Sequence, residues 1–195
     1  AVLAPVAIDH ERWLGSTVEE IAAEKLGIVK PGATLVSAAQ SDSVARMVAE
    51  RCAQMGARLI MAGPTLSVIS REVAVSGQLV TIQTPAARYE DIPLALKGDY
   101  QADNAALAIA AVEAFYGGKA LAGDVVEHAL MSVSSPGRLE VVRNSPTVVV
   151  DAAHNPHGAR ATVDALTESF DFNPLIGVVA MMADKDVRGV LEVLA

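Results

Sequence analysis

The sequence predicts an α/β protein, and three observations point that way. Short apolar runs rich in β-branched residues, such as RLIM at 58–61 and TVVV at 147–150, have the length and composition of buried strands. Amphipathic stretches of ten or more residues separate them, with capping residues at their starts and glycines at their ends. Beyond residue 134 the elements run strand, helix, strand, the order that makes a parallel sheet with a right-handed crossover. At 195 residues and 52% hydrophobic content the chain can bury a sizeable core, as one domain or two small ones.

Charge and cysteine content narrow the chemistry. A net charge of −8 leaves no general basic face, which argues against nucleic acid or anionic membrane as partner and favours a small-molecule anion bound in a local pocket. Cys52 is the only cysteine, so an internal disulfide is excluded, and its place among Val44, Met47, Val48 and Met55 assigns it to packing. With no signal sequence and no apolar run approaching about 18 residues, the reading is a cytoplasmic protein. The chain opens inside an apolar strand, AVLAPVAIDH, and stops within the helical pattern KDVRGVLEVLA, so a piece of a longer protein is expected.

Taken in order, Asp9 and His10 follow the first strand, and Ser16-Thr17-Val18-Glu19 is a capping-box pattern opening a helix that Gly27 closes. Val18, Ile21 and Ala22 stand at i, i+3 and i+4 on that helix, with Lys25 at i+7 on the same stripe. A lysine there either snorkels to the surface or is a desolvated amine able to react with carbon dioxide, giving a carbamate that binds a hard cation. A second helix covers Gln40 to Gly56 with Ser41 and Asp42 as cap candidates, and RLIMAG follows as a strand. LSVISREVAV and LVTIQTP read as a β-hairpin, then IPLAL as a short strand, while Arg58 and Arg71 read as solvated charges. GDYQADNAALAIAAVEAFYGG is a close-packing helix with Asn104 in its first turn, and Asp124 begins a shorter one that carries His128 on its surface.

The segment SSPG is the best domain boundary, because small residues and proline break both periodicities. After it come a strand, the NSP turn, the strand TVVV, a helix and the strand LIGVVAMM, in Rossmann-like order. Asp151 stands at the carboxyl end of TVVV, and Asn155-Pro156 supplies an N-cap and a first helical residue whose φ is preset. Asp151 and His154 are therefore expected at the carboxyl edge of the sheet beside the positive end of a helix, a place suited to a phosphate or acyl phosphate. A turn-forming Asp and a solvated His are the plainer reading of the same residues. No G-x-G-x-x-G follows a strand, so a dinucleotide site has little support.

SPGRLEVV, DAAHNP and MMADKDV, in that order, resemble the C-terminal domain of the folylpolyglutamate synthase and dihydrofolate synthase family, part of the ATP-dependent Mur ligase superfamily. DH followed by LGSTVEEIAAEKLGIVKPG resembles the end of the family's central ATPase domain, and GDYQADNA its G-x-(H/Y)-Q-x-x-N-A nucleotide motif. The resemblance implies an α/β protein made of the end of a Mur-ligase-like central ATPase domain, residues 1–134, followed by a Rossmann-like C-terminal domain, residues 135–195. It implies ATP and Mg2+ as cofactors and an amide ligase that joins L-glutamate to a reduced folate, with dihydropteroate as a second candidate acceptor, through an acyl phosphate. By the same resemblance His10 and carbamylated Lys25 meet the metal, and Asn104, Gln101, Arg138 and Asp151 meet ATP. Lys25, His154 and Asp151 are then the catalytic set. The intact protein is expected to be a monomer. No G-x-x-x-x-G-K-(S/T) occurs in the sequence, so the 195 residues alone are expected to be inactive. A cell-wall Mur ligase, or a noncatalytic binding domain of the same fold, would share much of this pattern.

Overall fold

The computed structural model describes residues 1–9 and 11–195, and of residues 11 and 12 the backbone only. Its first layer is a parallel sheet of β1 (Val2–Leu3), β2 (Thr34–Ser37) and β3 (Arg58–Met61) in that order. Strand β2 was not anticipated, since TLVS is only four residues long behind the breaker KPGA. Alternation along it decides the layering. Leu35 faces the cluster that includes Leu3, Ala22, Val44 and Val48, whereas Val36 faces another with Ile60, Ala106 and Ala110. The sheet is thus covered on both sides, by α2 (Val18–Lys25) and α3 (Asp42–Gln54) on one and α4 (Asp99–Phe115) on the other. Burying a residue such as Leu35 completely contributes about 1.5–3 kcal/mol.

A single turn, α1 (Glu11–Leu14), precedes α2. The capping box of α2 is one residue later than the sequence pattern suggested. The Thr17 hydroxyl accepts from the Glu20 N–H at 3.2 Å, and Glu20 in turn accepts from the Thr17 N–H at 3.2 Å. Glu20 also accepts from the Ser16 N–H, and these backbone donors hold its carboxyl below the usual range. Leu26, after Lys25, takes the next buried position and opens a 3-10 turn, Leu26–Ile28, so the apolar stripe passes to Leu26 rather than to Lys25.

The hairpin and third strand form an antiparallel meander of β4 (Ser67–Ala74), β5 (Gly77–Gln83) and β6 (Arg88–Leu94), the last starting four residues before IPLAL. Their inner faces pack on α4 and on α5 (Gly123–Ser132). A buried polar knot ties these parts together. Glu113 of α4, 2% exposed, accepts from Thr84 and Tyr89 hydroxyls at 2.8 Å each, and the Tyr89 oxygen accepts from the Leu121 N–H. Gly98, at φ +92°, begins α4 where a Cβ would lie 2.9 Å from that of Ala165, so only glycine lets α4 and the later helix approach this closely.

After residue 134 the chain forms β7 (Glu140–Asn144) and β8 (Thr147–Val150), then α6 (Pro156–Ser169) and α7 (Val187–Leu194). Asn155 is the N-cap of α6, its side-chain oxygen accepting from the Gly158 N–H at 2.7 Å, as the Asn-Pro pair predicts; such a cap contributes about 1 kcal/mol. β7 and β8 pair antiparallel through the NSP turn. One expectation fails here: β8 gains no parallel neighbour after α6, because LIGVVAMM forms no strand. Its Ile176 and Val178 are 81% and 95% exposed, so the run has strand composition without a neighbouring ladder among the described residues.

Candidate functional site

A cleft of about 460 Å³ lies at the carboxyl ends of the parallel strands. Ala4 and Pro5 after β1, Ala38 and Ala39 after β2, and Ala62 after β3 form its floor, small residues that leave room above the sheet edge. Gln40 secures that floor by accepting from the Val6 N–H at 2.9 Å and donating to the Ala4 carbonyl at 3.0 Å. The first two turns of α4 provide one wall through Tyr100, Gln101, Asp103 and Asn104. Arg138 from the turn before β7, and His157, Gly158, Ala161 and Thr162 from α6, provide the other. A crevice outside the carboxyl ends of a parallel sheet is where α/β proteins bind ligands.

Gln101, Asn104 and Arg138 therefore share one cleft. Asn104 lies in the second turn of α4, not the first, and donates to the buried Gln101 carbonyl oxygen at 3.2 Å, which orders both amides. Arg138 is exposed at the rim. Tyr100 sits between the walls: burial raises its hydroxyl pKa, the charge of Asp151 adds to that and Arg138 opposes it. Burial likewise raises the Asp103 carboxyl, with Asp99 adding to the effect and Arg71 opposing it.

Asp151 does not reach into the open cleft. Its carboxylate accepts from the Leu139 N–H at 2.9 Å, the Ala153 N–H at 2.8 Å and the Thr162 hydroxyl at 2.9 Å. It joins the end of β8 to α6 and to the turn carrying Arg138, and holds Leu139 at a φ of +48°. His154 lies beside the cleft and turns towards the N-terminal part. Its Nε2 is 3.1 Å from Asp9 Oδ2 and its Nδ1 3.0 Å from the Ala152 carbonyl oxygen. Asn155 and Lys185 donate to the same Asp9 carboxylate at 3.0 and 3.1 Å.

Lys25 requires a correction, because it is exposed, with Leu26 buried in its place. The desolvation argument for a reactive amine thus has no support in the fold. His10 lies outside the described residues, and among the described ones no group of three His, Cys, Asp or Glu side chains could hold a metal ion. Arg71 is also not a solvated charge. It pairs through both terminal nitrogens with Glu168 of α6 and donates to Gln78 at 3.2 Å, and the Glu168 carboxylate raises its pKa further. Asp9, Lys185, Tyr100 and His157 were missed as site residues. Asp9 and Lys185 are 176 positions apart, so no local pattern in the sequence joins them.

Residues 137–195, from the Arg138 turn through α7, match the family model described as Mur ligase, glutamate ligase domain. The chain is 41% identical over 203 aligned residues to the dihydrofolate synthase/folylpolyglutamate synthase of Mycobacterium tuberculosis, covering all of this chain and 42% of that protein. The family it matches over its whole length is that of the folylpolyglutamate synthases and dihydrofolate synthases. Against the folylpolyglutamate synthase of Lacticaseibacillus casei it is 33% identical over 194 residues, 98% of this chain and 45% of the relative. A solved M. tuberculosis folylpolyglutamate synthase, titled as complexed with ADP and AMPPCP, superposes with a TM-score of 0.94 over 99% of this chain and 44% of that one, at 41% identity. A complex titled with AMPPCP and folate superposes at 0.91 over 99% of this chain and 47% of that one, at 33% identity. The chain spans under half the length of these family members.

Proposed function

We propose that this chain forms part of an ATP-dependent ligase that adds L-glutamate to folates, to dihydropteroate or to both. The observation that carries the reading is the cleft at the sheet edge, where Gln101, Asn104 and Arg138 converge in a fold that matches relatives solved with ATP analogues. A folate carboxylate would attack the γ-phosphorus of ATP, releasing ADP and forming an acyl phosphate. The glutamate amine would then attack the acyl carbon, lose a proton and expel phosphate, leaving the amide. Such chemistry needs positioning and charge neutralisation more than a protein nucleophile.

In this reading Gln101 and Asn104 hold the nucleotide, and Arg138 reaches its phosphates from the rim. Asp151 serves by fixing the Arg138 turn and α6, and His154 stands at the helix start beside the transferred group. His10 and Lys25 are the proposed Mg2+ side of the site on the resemblance alone, and when bound the cation would neutralise phosphate charge. We propose domains of residues 1–134 and 135–195, and a cytoplasmic, monomeric full-length protein. The test is ATP-dependent addition of glutamate by the full-length protein to a reduced folate, to dihydropteroate, and to a nucleotide-linked cell-wall precursor. Turnover with either pterin substrate is expected; turnover with the cell-wall precursor alone would transfer the assignment to that branch of the superfamily. The 195 residues alone are expected to give none, lacking a phosphate loop.

A further inference from the structure

Among the described residues, three side chains from two places in the chain close on Asp9. His154 comes from the loop after β8, Asn155 from the cap of α6, and Lys185 from the turn before α7. The contacts are partly sheltered, with the Asp9 and Lys185 side chains 21% and 14% exposed. Oδ2 faces Asn155 and His154, while Oδ1 faces Lys185. The His154 ring lies between the Asp9 carboxylate and the Ala152 carbonyl, one at each ring nitrogen. At the other end of α6, Glu168 is held bidentately by Arg71 of β4. The helix whose first turns wall the cleft is therefore fixed at both ends by residues of the N-terminal part.

We infer that Asp9 is a positioning residue of the site: its carboxylate sets His154, Asn155 and Lys185, and through them the start of α6, against the cleft. The inference rests on the ligase reading above. It goes beyond it in assigning Asp9 a role separate from nucleotide binding, since Asp9 is absent from the cleft lining while two of the residues it holds, His154 and Asn155, lie at the start of α6. Asparagine cannot replace it. An amide offers one acceptor oxygen, and its NH2 group would face an ammonium, an imidazole N–H or an amide N–H.

The experiment uses the full-length protein, Asp9→Asn, Asp9→Glu and Lys185→Gln, with kcat, the KM for ATP, thermal midpoints and 15N spectra of the histidine rings. D9N is expected to lower kcat by about 100-fold, the scale of a misplacement near 1 Å, while the KM for ATP changes little. D9E, which keeps the charge, should restore part of the rate. K185Q should lower kcat too, and the double variant D9N/K185Q should be no worse than D9N, because both act through one contact set. The His154 ring signals, assigned by their loss in His154→Asn, should move in D9N whatever the activity. Unmoved ring signals, additive losses, or a kcat deficit no larger than the unfolded fraction would each overturn the inference. If D9N does not fold, K185Q carries the same expectation of reduced kcat at retained KM. Absence of ligation by the unmodified protein would instead refute the proposed function, leaving the ring signals to judge Asp9.

Discussion

Replacing Asp151 separates its structural part from any direct chemical one. Its carboxylate accepts three hydrogen bonds, two on Oδ1 and one on Oδ2. At about 1.5 kcal/mol each, the lower end for bonds to a charged group, they would sum to roughly 4–5 kcal/mol. Two share one oxygen and the residue is half-buried, so water recovers part in Asp151→Ala, and a loss of about 3 kcal/mol is expected. For a chain of this size that is a fall of about 6–12 °C in thermal midpoint. Asp151→Asn must present its NH2 to at least one of the donors, so it should lose about 1.5 kcal/mol, and Thr162→Val about 1 kcal/mol. Because the Leu139 N–H is the neighbour of Arg138, both Asp151 variants should also raise the KM for ATP in the full-length protein. The assays are urea unfolding and steady-state kinetics on the same preparations. D151N with an unchanged midpoint and KM but no turnover would refute this reasoning and make the carboxylate a direct participant.

The buried knot around Glu113 predicts an alkaline signature. Burial, foremost, and the hydrogen bond to Glu113 push the Tyr89 pKa up from 10.0 to about 12. A raised folded-state pKa gives stability that is complete below pH ~10 and lost as pH rises through ~12, on the order of 3 kcal/mol in all. Tyr89→Phe should lower stability at pH 7 by about 1–3 kcal/mol and lack this part of the alkaline slope in urea titrations; parallel slopes would contradict it. For the Arg71–Glu168 pair, a double-mutant cycle with Arg71→Met and Glu168→Gln should give a coupling of about 1 kcal/mol that shrinks in high salt, and a salt-independent value would point to packing instead. Lys25→Ala, at an exposed site, should change unfolding free energy by less than about 0.5 kcal/mol. If the lysine carries a carbamate in the full-length protein, the same variant loses turnover and small carboxylic acids restore part of it; loss without rescue would remove the carbamate from the proposal.

What could be read from the sequence was what short-range physics decides. Asn155-Pro156 announces the start of α6 because the cap acts within three residues, and Ser41 marks the start of α3 by position although its side chain makes no capping hydrogen bond. Gln101 and Asn104 were marked by resemblance to the family's nucleotide motif, and their three-residue spacing puts them on one helical face, where they pair. Periodicity misled where the partner surface decides. Lys25 fits the apolar stripe as well as Leu26 does by spacing, but the 3-10 turn carries the chain into the core at Leu26 and leaves the amine outside. LIGVVAMM has strand composition, and composition cannot supply the neighbouring ladder that makes a strand.

Charge pairs across the fold were the least legible. Arg71 and Glu168 are 97 positions apart and each looks like an ordinary surface charge in its own segment. Asp9 and Lys185 differ from them in one respect, since both lie in segments recognised as family-like, yet neither segment alone says that they meet. Their meeting places a carboxylate where an imidazole, an amide and an ammonium converge. Turning that carboxylate into an amide leaves one acceptor oxygen and aims an NH2 group at donors on the other side, whereas removing one donor leaves the carboxylate with its other contacts. The loss on Asp9→Asn should therefore exceed that on Lys185→Gln, an order of effects that follows from the geometry alone.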